Sequence, residues 1–233
     1  MDLYPDTNIL LFYFENENNS VDLIFNCEKF NVLILPSIQM EYERRMNIKE
    51  INTIQEQLYE VNNITNSGLK IKMKIQEILN EKNSIYLKEL QRKIETINNP
   101  NEILSLSHQL KTEFRNLMGV IAIKYVSNLE ADKINVYKQN NCPFVDVLHK
   151  MLKEYFPEEK DNDKYDNEHI INAVILTKLR KNQLSYFVSD DNFRRHYNTN
   201  KYYIEASSDI KKNFQVNLEL KHFPEFVKEL KSK

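Results

Sequence analysis

Glycine is almost missing from this chain: Gly68 and Gly119 are the only two among 233 residues. A phosphate-cradling loop needs several glycines in close order, and a nucleophile elbow needs one on either side of a serine, so neither is encoded. A His-Glu-x-x-His helix is absent too. Cysteine is as scarce. Cys27 and Cys142 lie far apart and in no Cys-x-x-Cys pair, which argues against a thiolate zinc site and neither requires nor excludes a disulfide. Both read as buried thiols. No apolar run is long enough to span a bilayer, and the chain opens on a strand bearing Asp2 and Asp6 rather than on a signal peptide, so no membrane association and a cytoplasmic location are expected. The formal net charge of −2 gives no overall pull toward nucleic acid and leaves phosphate contacts to local basic clusters.

What is present is a recurring arrangement, a carboxylate at the end of an apolar run where a helix begins. Leu3-Tyr4-Pro5-Asp6-Thr7-Asn8-Ile9-Leu10-Leu11 reads as a strand that stops at Asp6, with Asn8 close behind. Ligands of an open parallel sheet gather outside the carboxyl ends of its strands; an Asp there also caps the next helix, the commoner role of a lone one. Asn31 to Leu35 is a continuous apolar run of the buried parallel type and ends in Pro36-Ser37. A helix from Ser37 carries Glu41 and Glu43 in its first two turns, where the helix dipole favours acids whatever the function, and Glu41 looks back over the strand end.

A third station is Asp166-Asn167-Glu168-His169, heading a buried helical stripe of Ile170, Ala173 or Val174, and Leu179. Either Asp166 or Glu168 is the candidate ligand there. His169 is a candidate as well, although a histidine beside a helix start is more often a structural hydrogen-bonding group. At the fourth station the β-rich run Tyr186 to Ser189 stops at Asp190 and Asp191, followed by a short helix. Two adjacent like charges repel, and a divalent cation would relieve them. Basic clusters stand at Arg44-Arg45, at Lys70, Lys72 and Lys74, and at Arg194-Arg195-His196-Tyr197. The last is best placed beside the acidic residues, though a solvated helix face is the commoner fate of such a run.

Residues 46–155 read as helix. Ile51, Ile54, Leu58 and Val61, then Ile75, Ile78 and Leu79, then Leu87, Leu90 and Ile94 recur at three- and four-residue steps. Asn98-Asn99-Pro100-Asn101 is the clearest break, after which Ile103, Leu106, Leu110, Phe114, Leu117 and Met118 resume the stripe. The pattern predicts two long helices in an antiparallel hairpin, packed on or projecting from the rest, with spacing too irregular for sustained coiled-coil heptads. Asn140-Asn141-Cys142-Pro143 ends a helix, and Val145, Leu148 and Leu152 begin another.

Taken in order, the four stations resemble the motifs of the PIN-domain nucleases. Asp6-Thr7-Asn8 is similar to that family's opening Asp-x-Asn, and Pro36 with Glu41 five residues on is similar to its second motif. Asp166 with His169 and Ala173 looks like the third. Ser189-x-Asp191 with Phe193 looks like the fourth; the aromatic is in register with Asp190 and one residue early for Asp191, so both remain candidates. The resemblance spans roughly residues 1 to 45 and 160 to 233. It implies a three-layer α/β/α fold around a parallel sheet, with a nuclease core at 1–45 and 156–233 and a helical insertion at 46–155.

The resemblance also implies a chemistry. Catalytic, metal-holding carboxylates would be Asp6, Glu41, Asp166 and Asp190 or Asp191, supported by Asn8, Ser189, Glu168 and His169, with Arg44, Arg45, Arg194 and Arg195 toward nucleic acid. Hard oxygen donors suit Mg²⁺ or Mn²⁺ rather than zinc. Such a site orients and deprotonates a water for in-line attack on a phosphodiester, with single-stranded or structured RNA the expected substrate. The insertion is the expected seat of specificity or of homodimerisation, and a cognate inhibitor protein is the partner expected of a toxin. Three other readings compete: a phosphatase or receiver-like domain, for which Asp6-Thr7-Asn8 lacks a second Asp; a silent scaffold binding RNA or protein; and a structure-specific DNA nuclease with the insertion arching over the strand.

Overall fold

Leu3 and Tyr4 are neighbours in sequence and both fully buried, because the strand pleat sends them to opposite faces of a sheet that is covered on each. The computed structural model of the protein describes residues 1–15, 20–46, 50–122, 126–156, 166–190 and 199–232. In chain order its elements are β1 (Asp2–Pro5), α1 (Thr7–Glu15), α2 (Asp22–Phe25), β2 (Asn31–Val32), α3 (Pro36–Met46), α4 (Ile51–Thr65), α5 (Gly68–Glu81), α6 (Ile85–Lys93) and α7 (Pro100–Ala122). They continue with α8 (Asn128–Asn140), α9 (Cys142–Tyr155), α10 (Asp166–Leu179), β3 (Ser185–Ser189), α11 (Thr199–Phe214), β4 (Leu218–His222) and α12 (Phe223–Lys231).

The described strands form one parallel sheet in the order β2-β1-β3-β4, so the protein is α/β. Its register sets the positions that matter. Pro5 pairs with Val188, and Ser189 pairs with His222, which brings Asp6, Ser189 and His222 to the same carboxyl edge of three adjacent strands. Asp6 N–H extends the ladder by donating to Val188 O at 2.8 Å. The chain steps from β1 to β2 on one side and later to β3 on the other, so the direction of winding reverses between β1 and β3. That reversal opens a crevice at the strand ends, the usual place for a ligand in such sheets.

On one face Leu3, Val32 and Val188 pack with Ile9, Ile24, Phe30, Phe223 and Phe226. On the other, the Tyr4 hydroxyl lies beside Thr177 of α10 and Ser185, and burial pushes the phenol up to about 12. Arg180, just past α10, donates to Asp2 at 3.0 Å and to Glu130 of α8 at 2.8 Å. β2 is short, and Leu33 N–H prolongs its pairing by donating to Leu3 O at 2.8 Å.

Contacts divide the chain into two units, residues 1–40 with 124–233 and residues 41–123, with the division falling inside α3. In the first, α8 and α9 pack on α10, and α9 also packs on α11. The second is built from α4 to α7, so four helices stand where the periodicity predicts two long ones. Asn66 explains the first extra break: it takes the left-handed conformation, φ 40° and ψ 47°, that closes α4. The unit buries Leu58, Ile71, Ile75, Leu90, Ile103 and Phe114 around a polar network in which Tyr86 Oη donates to Ser107 O at 3.0 Å and Gln55 Nε2 donates to Ser107 Oγ at 3.3 Å. Cys27 is half-buried and Cys142 exposed, which corrects the expectation of two buried thiols. No helix among the described residues is long and apolar enough to cross a membrane.

Candidate metal centre

Asp6 follows β1 directly and is 2% exposed. An isolated carboxylate so far from water would be costly, and this one is held by donors. Thr7 N–H donates to Oδ1 at 2.7 Å and Ser189 Oγ–H donates to Oδ2 at 2.6 Å. Ser189 accepts in turn from Asn8 Nδ2 at 3.1 Å, and Asn8 Oδ1 accepts from the Asp190 N–H at 3.3 Å. Asn8 therefore bridges the two loops that flank the crevice, and both of its amide atoms are used.

Helix α3 supplies the next group. Ser37, at its start, lies with Oγ 2.8 Å from His169 Nδ1, and Asn172 Nδ2 donates to the same oxygen at 2.8 Å. Glu41 stands four residues beyond Ser37 on that helix, hence on the same face. Asp6, Glu41 and His169, each at least nine-tenths buried, offer a carboxylate or imidazole atom within 4.8 Å of one another. His169 Nε2 is 4.0 Å from Asp6 Oδ1. No family model, curated protein or solved structure matches the chain.

Two carboxylates packed this closely and this deeply need positive charge nearby. Arg45, one turn past Glu41, provides part of it through an ion pair with the Glu41 carboxylate. A divalent cation would provide the rest, and the donor set fits one: two hard oxygens and an imidazole suit Mn²⁺ and admit Mg²⁺.

The other expected residues are distributed as follows. Asp190 sits at the same edge, its Oδ1 3.7 Å from His222 Nε2. Burial holds His222 below the ordinary histidine value, against the opposing pull of Asp190 and Glu225. Asp166 is the first residue of α10, while its side chain, and Asp191, Arg194 and Arg195 entirely, lie outside the described residues. Glu168 is paired with Lys138 of α8 instead of joining the cluster. Arg44 is exposed.

Sequence reasoning did not single out Ser37, Asn172 or His222 as site residues. A faint signal existed for the pair on α10, since Asn172 follows His169 by three residues and so shares its face. For Ser37 the only cue was the helix start, where serine is expected anyway. His222 ends the last strand, and nothing local marks that strand as the neighbour of β3.

Proposed function

We propose that this chain is a metal-dependent endoribonuclease of PIN-like type, hydrolysing RNA phosphodiester bonds at the crevice between β1 and β3. The observation that carries this reading is the buried Asp6–Glu41–His169 cluster at the winding reversal of a parallel sheet. On this reading the sheet and its helices are the three-layer core of residues 1–45 and 156–233, and residues 46–155 are inserted into it.

Asp6, Glu41 and His169 would hold Mn²⁺ or Mg²⁺, with Asp166, Asp190 and Asp191 completing the acidic edge. When bound, such a cation lowers the pKa of a coordinated water and offsets charge on the departing oxygen. The chain's own part is orientation. Thr7 N–H and the Ser189 hydroxyl keep the Asp6 carboxylate in one rotamer, so no reorganisation is needed on binding. Asn8 keeps Asp190 in step with Asp6, and Asp190 with its neighbour His222 lines the β3–β4 side of the edge.

The test is cleavage of a labelled single-stranded RNA and its DNA counterpart with Mn²⁺ or Mg²⁺, comparing wild type with Asp6→Asn and Glu41→Gln. Metal-dependent cutting of RNA that both substitutions abolish is the expected result. Equal silence of all three proteins across both metals and both substrates would overturn the nuclease reading, and preference for DNA would redirect it to the flap-type alternative.

A further inference from the structure

Phe30, Tyr186 and Phe226 line a cavity of about 450 Å³. It lies at the amino edge of the sheet, where Met1 and Phe30 stand just before β1 and β2 and Tyr186 is the second residue of β3. Asp6 follows β1 at the opposite edge, and the strand from Met1 to Asp6 runs roughly 16 Å, so the cavity is separate from the candidate metal centre. Its base is the apolar core itself, with Phe30 and Phe226 at least nine-tenths buried. The three rings pack on one another. Phe30 and Tyr186 meet edge to face, with centroids 5.8 Å apart and planes at 81°, and Phe226 lies tilted 5.7 Å from Phe30 and 5.6 Å from Tyr186. Leu23 of α2, 41% exposed, carries the apolar wall outward to solvent.

Polar groups in the wall are few. Among the described residues no hydrogen bond engages the Asn26 amide, the Cys27 thiol or the Tyr186 hydroxyl, whereas the Glu229 carboxylate is spent on Lys221 at 3.2 and 3.3 Å. Burial holds the Tyr186 phenol above its ordinary value, so near neutral pH it remains a donor. A cavity of this size, with aromatic walls and a small number of polar groups, has the make-up of a small-molecule site.

We infer that this cavity binds a small planar heteroaromatic molecule of purine type, with its ring among Phe30, Tyr186 and Phe226 and its polar edge on the Asn26 amide. The site goes beyond the proposed function and does not depend on it. Two features of the lining choose this class. Edge-to-face and tilted rings reward a flat π system over a saturated ring by about 2- to 10-fold in affinity per contact. A primary amide sets a donor beside an acceptor, which matches a heteroaromatic edge that does the same, as asparagine matches adenine.

The experiment uses the full chain, whose two thiols serve as reporter and control: Cys27 lines the cavity, and Cys142 is exposed at the start of α9. Adenine and cyclohexanecarboxamide are titrated by saturation-transfer NMR, and the rate of iodoacetamide alkylation at each cysteine is followed by peptide mass spectrometry. Adenine is expected to bind and to slow alkylation of Cys27, by about threefold at twice its dissociation constant, while Cys142 reacts unchanged. Asn26→Ala, at an exposed position, should weaken adenine roughly 5- to 100-fold. Leu23→Trp, which fills the mouth from an exposed position, should abolish both binding and protection. Absence of adenine binding to wild type overturns the inference without any variant having to fold. Equal binding of cyclohexanecarboxamide overturns the aromatic class, and protection that extends to Cys142 or survives Leu23→Trp overturns the site.

Discussion

Ser189 Oγ donates a 2.6 Å hydrogen bond to Asp6 Oδ2, joining residues 183 positions apart at the ends of adjacent strands. The bond exists because the β1–β3 register puts Asp6 beside Ser189, and it is reinforced by Asn8, which donates to the same serine oxygen at 3.1 Å. A buried carboxylate with two fixed donors is pre-set for a ligand.

Ser189→Ala removes one of those donors and leaves Asn8 Nδ2 without its acceptor. The expected cost is about 1–3 kcal/mol of stability, together with a roughly 10- to 100-fold loss of Mn²⁺ affinity. Denaturant unfolding and calorimetric titration check the two parts separately; unchanged metal affinity would mean that Asp6 needs no support.

On the proposed function Arg45 would compete with a bound cation for Glu41, since the guanidinium that pairs with this carboxylate and a metal would neutralise the same group. Arg45→Gln should therefore tighten Mn²⁺ binding by about 3- to 10-fold, up to ~1.4 kcal/mol, while costing the helix only a few tenths of a kcal/mol. A weaker affinity in the variant would show that Arg45 positions Glu41 rather than competing for it.

Gly68 is required by close approach. A Cβ there would meet Asn98 O at 2.1 Å and Asn98 C at 2.9 Å, backbone atoms of the turn ahead of α7 that have no rotamer to escape into. Ala is favoured over Gly in a helix by up to ~1 kcal/mol, but the overlap outweighs that preference. Gly68→Ala should destabilise the unit of residues 41–123 by roughly 1–3 kcal/mol. Circular dichroism during urea unfolding reads the effect, and a stabilised variant would contradict the contact.

Acid should loosen the link from α8 to the start of β1. Burial alone would raise the Glu130 carboxyl, but hydrogen bonds from Arg180 and Ser127 outweigh it and leave the group below its ordinary value of 4.5. A folded pKa below the unfolded one means the contribution is complete above 4.5 and fades as the pH falls through the lower folded value. Because the pair is partly exposed, about 1 kcal/mol or less is at stake. Unfolding free energies measured from neutral pH down to about pH 3 should show a shallower acid slope for Arg180→Gln than for wild type.

Several features were legible locally. The apolar run before Asp6, the helix start at Pro36-Ser37, the helix headed by Asp166 and the strand ending at Ser189 are each written in a few consecutive residues, because apolar continuity and capping chemistry act over one or two turns. The insertion was legible as helix but not in its number of pieces: periodicity is blind to a single residue such as Asn66 turning left-handed. Exposure of Cys142 was likewise hidden, since it depends on which face of α9 the rest of the chain covers.

Sequence by itself determined where the acids stand, at junctions between apolar runs and helices, and that a long helical stretch separates the second junction from the third. Only the tertiary structure decided which junctions are neighbours. Parallel pairing uses backbone groups that every residue carries, so nothing in Tyr186 to Ser189 names β1 and β4 as its partners; side-chain packing on both faces of the sheet makes that choice. Through it His169 meets Ser37 across 132 residues and comes to lie beside Asp6, turning a histidine that reads locally as an ordinary hydrogen-bonding group into a candidate ligand.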